Sequence, residues 1–137
     1  MALTGTGYRL LLAAGVYPQT AVPPFWESRY GAYQYPIIVQ AADGPGTAVL
    51  PPLDLYQCRY LYLLGLKVQG RRGNVIHCAS CHHILVRHCL VVGLGNVSTY
   101  DCPQETIKVN QCRYIYLEHC DVSGAWNVAV DYVATQY

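Results

Sequence analysis

The 137-residue sequence predicts an all-β fold, a right-handed parallel β-helix with three short strands in each coil. Three observations predict this fold: one apolar pattern occurs three times, its apolar residues come in pairs two positions apart, and only short gaps separate the pairs. A period of two is typical of a strand, whose successive side chains point to opposite faces. The gaps are too short for the crossover helices of a βαβ unit. An antiparallel meander would not require like residues to recur at one offset.

The repeat is anchored on Cys58, Cys81 and Cys112, which lie 23 and 31 residues apart. With these anchors aligned, seven columns hold an apolar residue or Cys in all three copies. The columns are Leu53, Ile76, Ile107; Leu55, Cys78, Val109; Cys58, Cys81, Cys112; Leu61, Ile84, Ile115; Leu63, Val86, Leu117; Leu66, Cys89, Cys120; and Val68, Val91, Val122. We expect every column to face the core and a fourth copy to begin at Val130.

The sequence outside the repeat predicts two regions. Residues 1–35 are expected to form an N-terminal strand at 8–13 and a capping segment, and residues 36–137 to form the coils. A less regular coil is expected at 36–52, with Ile37, Val39, Val49 and Leu50 inside. A terminal coil shows bare strand edges, and nothing after Val130 has the pattern of a cap. The sequence is therefore interpreted as an N-terminal part, with further coils or a covering domain expected beyond Tyr137.

The loop after the third strand of each copy absorbs the difference between the two offsets. It is short at residues 69–75 and about eight residues longer between 93 and 106. Loops of this kind tolerate insertions and often carry function.

Composition limits the function classes. The formal net charge is only +1, which argues against a nucleic-acid partner because such proteins usually need a basic face. No apolar run approaches the roughly 18 residues of a transmembrane helix, and no clear signal peptide is present. The sequence has thirteen Tyr and one Phe. Tyr combines an apolar ring with a polar tip and suits partly exposed surfaces and sugar or partner contacts.

Three segments carry a resemblance to a known family: QETIKVNQ at 104–111, DVSGAWN at 121–127 and VDYVA at 130–134. From about residue 35 onward, the chain resembles bacterial right-handed β-helix proteins of the pectate-lyase-like superfamily. The resemblance implies an extracellular or cell-surface protein that acts on a polysaccharide. The stretch Glu105-Thr-Ile-Lys is also similar to a Glu-x-Ile-Arg stretch in chondroitinase-like and alginate-lyase-like members, where acidic residues hold calcium. Calcium is therefore the cofactor that the resemblance implies, with Glu105 and Asp131 as ligands.

The outward column of the first strand contains the candidate catalytic residues. Stacking places Asp54, His77, Lys108 and Asp131 on one face about 5 Å apart. A lyase needs a base beside a uronate carboxylate and a cation to neutralise it. Lys108, Asp131 and His77 are the candidate catalytic residues, and Asp54 and Asn110 are candidate substrate contacts. The alternative is that these positions are polar only because they face water.

The sequence Cys78-Ala-Ser-Cys81-His82 matches the pattern of c-type haem attachment and, with its neighbours, suggests zinc. The repeat argues against haem and zinc, because Cys78 and Cys81 occupy inward columns whereas His82 points outward. A disulfide such as Cys89–Cys120 is an alternative to free packed thiols, which we favour. Cys102, in the long loop, is expected to be the exposed Cys.

A Tyr-rich surface is predicted on the second strand. Its two outward columns are Tyr60, His83, Tyr114 and Tyr62, Leu85, Tyr116. Exposed apolar surface of this size usually binds something. The Tyr residues are candidate glycan contacts, unless a further loop, domain or subunit covers them.

The sequence thus predicts a carbohydrate-acting β-helix protein, a lyase or hydrolase of an acidic polysaccharide. The alternative is a non-catalytic β-helix that binds glycans or forms a surface structure. A deep groove over Lys108 and Asp131, walled by the loop at 93–106, would favour the enzyme. A flat polar first sheet beside an uncovered Tyr-rich sheet would favour the binding protein.

Overall fold

The computed structural model describes residues 7–137, which are mostly β-strand with one short 3₁₀ helix at Val97–Thr99. In this part of the chain, no helix is long and apolar enough to cross a bilayer. The strands in chain order are β1 (Arg9–Leu12), β2 (Gly15–Val16), β3 (Phe25–Glu27), β4 (Ile37–Ala41), β5 (Ala48–Leu50), β6 (Leu53–Tyr56), β7 (Arg59–Leu64), β8 (Lys67–Gly70), β9 (Ile76–Ala79), β10 (His82–Arg87), β11 (Leu90–Gly93), β12 (Glu105–Asn110), β13 (Arg113–Glu118), β14 (Asp121–Ser123) and β15 (Val128–Val133).

These strands form three parallel sheets of five, which we call A, B and C. Sheet A contains β1, β4, β7, β10 and β13; sheet B contains β2, β5, β8, β11 and β14; sheet C contains β3, β6, β9, β12 and β15. Each coil therefore adds one strand to sheet A, then one to B and one to C. The predicted fold class, a right-handed parallel β-helix with three strands per coil, is confirmed.

The register of the repeat is confirmed in all three sheets. Ile107 pairs with Ile76 on one side and with Val130 on the other. Leu61, Ile84 and Ile115 are neighbours in sheet A, and Val68, Val91 and Val122 are neighbours in sheet B. A slip of one residue would turn every one of these side chains to solvent. The apolar columns therefore determine how each coil sits on the next.

The core is a continuous stack of aliphatic side chains between the three sheets. Its largest members have at most 1% of their surface exposed, and they include Leu53, Leu61, Leu63, Ile84 and Ile107. Complete burial of one such side chain stabilises a fold by roughly 1.5–3 kcal/mol. The outward positions of the same strands carry the side chains that can meet a ligand.

The inward Cys residues at the corners form hydrogen bonds between coils. The backbone N–H of Cys58 donates to Sγ of Cys81 over 3.4 Å, and that of Cys81 donates to Sγ of Cys112 over 3.3 Å. The thiol of Cys81 donates to the carbonyl of Leu55 at 3.4 Å, and that of Cys112 donates to the carbonyl of Cys78 at 3.4 Å. Buried backbone groups at a corner need such partners. A small side chain that both donates and accepts explains why Cys recurs at this position.

The corners also use residues with left-handed backbone angles. In the corner between β9 and β10, Ser80 and His83 both have a φ of 54°, and in the next coil Gln111 and Tyr114 have φ values of 55° and 56°. Such angles cost a non-glycine residue about 1–2 kcal/mol. The coils packed on both sides hold these residues in the left-handed conformation. His83 and Tyr114 present their rings to the surface.

The N-terminal segment differs from the expected strand and capping segment. The expected strand is present as β1, which pairs with β4. The residues expected to cap the first coil instead supply β2 and β3, which pair with β5 and β6. Residues 9–27 thus add a strand to every sheet and form a coil of their own.

The expected orientation of Val49 is wrong. Ala48 and Leu50 are buried, and Val49 between them faces outward opposite Lys67. Adjacent residues of a strand point to opposite faces, so Val49 and Leu50 cannot both lie inside. Ile37 and Val39 are buried as expected.

Candidate functional site

The predicted polar column lies on the outer face of sheet C. Asp54 pairs in register with His77, His77 with Lys108, and Lys108 with Asp131. The structure therefore brings the three candidate catalytic residues into one row. Whether they act in catalysis stays a prediction.

His77 is held from both sides. Its Nδ1 lies 3.1 Å from Oδ1 of Asp54, and its Nε2 lies 2.6 Å from Oδ1 of Asn110. Both ring nitrogens are engaged, so His77 could take a proton from a substrate only after one contact breaks. Asn110 orients this imidazole, and its role as a substrate contact stays a prediction.

Glu105 is a buried carboxylate at the start of β12, with only 5% of its surface exposed. The side-chain amide of Asn74 donates to its Oε2 over 3.1 Å, and Nζ of Lys108 lies 4.0 Å from the same oxygen. Buried charges are generally paired in this way. Lys108 therefore pairs with Glu105 and is also the register neighbour of Asp131.

This arrangement does not fit the calcium site implied by the resemblance. Calcium takes six to eight oxygen ligands, whereas Glu105 already faces an amide and an ammonium group. Across residues 7–137, no three or more His, Cys, Asp and Glu side chains are grouped to hold a metal ion. We therefore assign no role to calcium here.

A cleft of about 610 Å³ opens beside Glu105, between the loop that follows β8 and the loop that follows β11. We call it the loop cleft. Its lining residues are Arg71, Arg72, Gly73, Asn74, Thr99, Tyr100, Asp101, Cys102, Gln104, Glu105 and Trp126. The rings of Tyr100 and Trp126 meet edge to face, with centroids 5.1 Å apart. Both are exposed and form an aromatic wall.

The opposite side of the loop cleft combines Arg71 and Arg72 with a carboxylate, Asp101. Arg71 binds the carboxylate of Asp101 through two nitrogens and so ties the two loops together. This hydrogen bond raises the pKa of Arg71 and lowers the pKa of Asp101. Arg72 is exposed beside this pair, and no ion pair of the described chain includes it.

A second depression of about 300 Å³ adjoins the loop cleft. It is lined by Asp54 and His77 and shares Gly73 and Asn74 with the loop cleft. We call these two adjoining depressions together the groove; its lining includes Trp126, Asn74 and the start of the polar column. The long loop walls the loop cleft, but the lining of the groove includes Glu105 and His77 and neither Lys108 nor Asp131, so it is not the deep groove over Lys108 and Asp131 that would favour an enzyme.

Sequence reasoning missed Arg71, Asn74, Tyr100 and Trp126 as site residues. The extra length of the loop after β11 was the one sequence signal for a site here, because residues outside the repeat have no periodic pattern that predicts their position.

The expected exposure of Cys102 is wrong, because 8% of its surface is exposed. Asn96 and Asp101 exchange backbone hydrogen bonds of 2.9 and 3.0 Å, which turn the loop back on itself. Cys102 and Pro103 follow this turn and are buried beneath the loop.

The Tyr-rich surface has the predicted columns. On the outer face of sheet A, Tyr62 and Tyr116 flank Leu85 and border a small depression of about 190 Å³. Tyr60, His83 and Tyr114 stack ring on ring at the neighbouring corner, with centroids 4.4 and 4.5 Å apart.

The haem-like motif is split by the backbone. Cys78 and Cys81 are buried, and burial raises the pKa of the Cys78 thiol. His82 lies on the outer face and contacts His83, with their Nδ1 atoms 2.9 Å apart. The thiols and this imidazole therefore face opposite sides of the strand.

All seven Cys are free, and Cys120 is the one that is not fully buried. Hydrogen bonding with the side chain and the backbone of neighbouring Cys89 lowers the pKa of the Cys120 thiol. A lower pKa increases the thiolate fraction, the form that reacts. We expect iodoacetamide to modify Cys120 first in the folded protein, as measured by peptide mass mapping over time. In a Cys120→Ser variant the earliest labelling should disappear. Labelling of all seven Cys of the unmodified protein at equal rates would contradict the prediction.

No protein-family model and no curated protein matches this chain. The observed fold is the parallel β-helix, and membership of the pectate-lyase-like superfamily stays a prediction.

Proposed function

We propose that this β-helix binds an acidic polysaccharide along the groove formed by the loop cleft and the adjoining depression. The observation that carries the proposal is that an exposed aromatic wall, Tyr100 and Trp126, lines the same cleft as a wall formed by the exposed Arg72 and the Arg71–Asp101 pair. Such a ligand would place the working site outside the cell.

The chemistry of the two walls suits such a ligand. Tyr and Trp offer large apolar faces with a polar edge, which match the mixed surface of a sugar ring. Guanidinium groups form paired hydrogen bonds with carboxylates. Arg72 has no carboxylate partner among the ion pairs of residues 7–137, so its charge is open to a uronate group. Asn74 and Gln104 add neutral hydrogen-bonding groups between the walls.

Cleavage of the same polysaccharide is the second candidate function. The Asp54–His77 pair favours it, because it lies at one end of the groove and resembles a base held by a carboxylate. A bound sugar would have to displace Asn110 from Nε2 of His77 before proton transfer. The test is incubation with polygalacturonate and alginate, followed by ultraviolet absorbance of unsaturated uronate products and by a reducing-end assay. Turnover that survives in His77→Gln would exclude this role of His77.

Binding can be tested with polygalacturonate, alginate and heparin oligosaccharides, with neutral dextran as the control ligand. We expect an Arg72→Gln/Trp126→Ala variant to bind the acidic oligosaccharides at least about tenfold more weakly, since each lost charged or aromatic contact removes roughly 1 kcal/mol or more. Isothermal titration calorimetry gives the dissociation constants.

The matched control is Lys67→Gln/Tyr33→Ala, which removes one positive charge and one exposed ring outside the groove. This variant should bind within about twofold of the unmodified protein, because rim changes outside a site alter affinity little. Equal losses of affinity in Arg72→Gln/Trp126→Ala and in the control variant would overturn the proposal. So would an affinity of the unmodified protein for dextran equal to its affinity for the acidic oligosaccharides.

A further inference from the structure

The corner between sheets C and A carries a positively charged column that the groove does not use. Arg59, His82 and Arg113 are register neighbours at the start of β7, β10 and β13. Both Arg side chains are exposed. Adjacent strands place these groups about 5 Å apart along the axis of the coils.

No carboxylate neutralises this column within residues 7–137. The ion pairs of this part of the chain involve other residues. Arg59 instead lies over the ring of Tyr30, 4.2 Å from its centroid, and Arg29 is exposed one residue earlier in that coil. Arg59 and Arg113 thus present positive charges without a carboxylate partner at one corner, which a polyanion could neutralise.

An aromatic column runs beside the charged one. Tyr60, His83, Tyr114 and Tyr137 stack with centroid distances of 4.4, 4.5 and 4.9 Å and interplanar angles of 12°, 21° and 11°. Because the rings cover one another, the column presents mainly ring edges to a ligand. We call the two columns together the corner stripe.

We propose that the corner stripe is a second binding site, which takes a segment of acidic polysaccharide whose anionic groups contact Arg59 and Arg113. The inference rests on the proposed function for its ligand class, but its residues are separate from those of the groove.

The stacking within the aromatic column favours a glycan over a nucleic acid. Proteins hold single-stranded nucleic acids largely by stacking bases on aromatic faces. In the corner stripe, the faces of His83 and Tyr114 are already covered by neighbouring rings. Recognition must then depend on charge and on hydrogen bonds to phenol groups, which suits repeated carboxylate or sulfate groups.

The two His residues make binding at the corner stripe depend on pH. Burial lowers the pKa of His82 and of His83, and the neighbouring charges on Arg59 and Arg113 lower that of His82 further. Tyr60 and Tyr114 are the other groups packed against these rings. Both imidazoles are therefore mostly neutral at neutral pH and gain positive charge only below the usual titration range of His. Affinity for a polyanion should rise as they gain that charge.

The decisive experiment measures the binding of a fluorescein-labelled heparin oligosaccharide by fluorescence anisotropy. We expect Arg59→Gln/Arg113→Gln to weaken binding by about tenfold or more, because two charged hydrogen bonds to the anionic groups are lost. The control Arg9→Gln/Lys67→Gln removes the same charge elsewhere and should stay within about twofold of the unmodified protein. Circular dichroism verifies that each variant keeps its β-structure.

The outcomes separate this inference from the proposed function. If Arg59→Gln/Arg113→Gln binds like the unmodified protein while Arg72→Gln/Trp126→Ala binds weakly, the corner stripe is not a site and the groove stands. If Arg59→Gln/Arg113→Gln binds weakly while Arg72→Gln/Trp126→Ala binds like the unmodified protein, the corner stripe is a binding site and the groove is not. Equal weakening by the Arg9→Gln/Lys67→Gln control, or tighter binding of a labelled single-stranded DNA than of the oligosaccharide, would overturn the inference.

Discussion

An Ile84→Ala substitution should lower the free energy of unfolding by about 2–5 kcal/mol. Ile84 has none of its surface exposed and lies between Leu61 and Ile115 in sheet A. The cavity left by the missing atoms would affect three successive coils, because the side chains of this column rest on one another. Urea denaturation followed by far-ultraviolet circular dichroism measures the change.

Leu85→Ala on the same strand is the matched control. Leu85 points outward between Tyr62 and Tyr116 and is only partly buried. Its truncation should cost about 1 kcal/mol or less, as is usual for surface positions. If both variants lost the same stability, the assignment of inward and outward columns would be wrong.

Gly124→Ala should destabilise the coil that carries Trp126 by two separate effects. Gly124 has a φ of 89°, which costs an L-residue about 1–2 kcal/mol. A Cβ at this position would also lie 2.0 Å from the carbonyl oxygen of Gly93, a backbone atom that cannot move aside alone. Overpacking of this kind adds about 1–3 kcal/mol. Thermal denaturation of the variant gives the combined loss.

Gly46→Ala separates the two effects. Its φ of 80° imposes a similar backbone strain, but an added Cβ would meet no atom within 4 Å. We expect Gly46→Ala to cost only the backbone part, about 1–2 kcal/mol. Equal destabilisation by the two substitutions would show that the close approach of Gly93 and Gly124 contributes nothing.

The arrangement of the coils was predictable because each inward position must be apolar and must repeat. The columns through Ile84 and Val91 share the offsets of 23 and 31 residues that separate the anchor Cys residues, and this alone sets sheet, strand and register. The first coil was not predictable in the same way, since β2 is only two residues long and its Val16 is 76% exposed. A strand that buries no side chain leaves no apolar pattern in the sequence.

The candidate site was predictable only in part. The row from Asp54 to Asp131 follows from the repeat, and Tyr137 could have been added to the aromatic column, since it lies one 23-residue repeat after Tyr114. The loop cleft could not be found this way. Arg71 and Trp126 lie in non-periodic segments, and only the folded loops bring them together.

Among the three coils of the repeat, from β6 to β14, the difference in length is confined to the corner between sheets B and C. β8 ends at Gly70 and β9 begins at Ile76, whereas β11 ends at Gly93 and β12 begins at Glu105. The strands on either side keep their pairing in spite of the longer connection. The scaffold and its recognition loops can thus diverge independently, and exchanging residues 94–104 for another loop is a direct route to grafting a new specificity onto these coils.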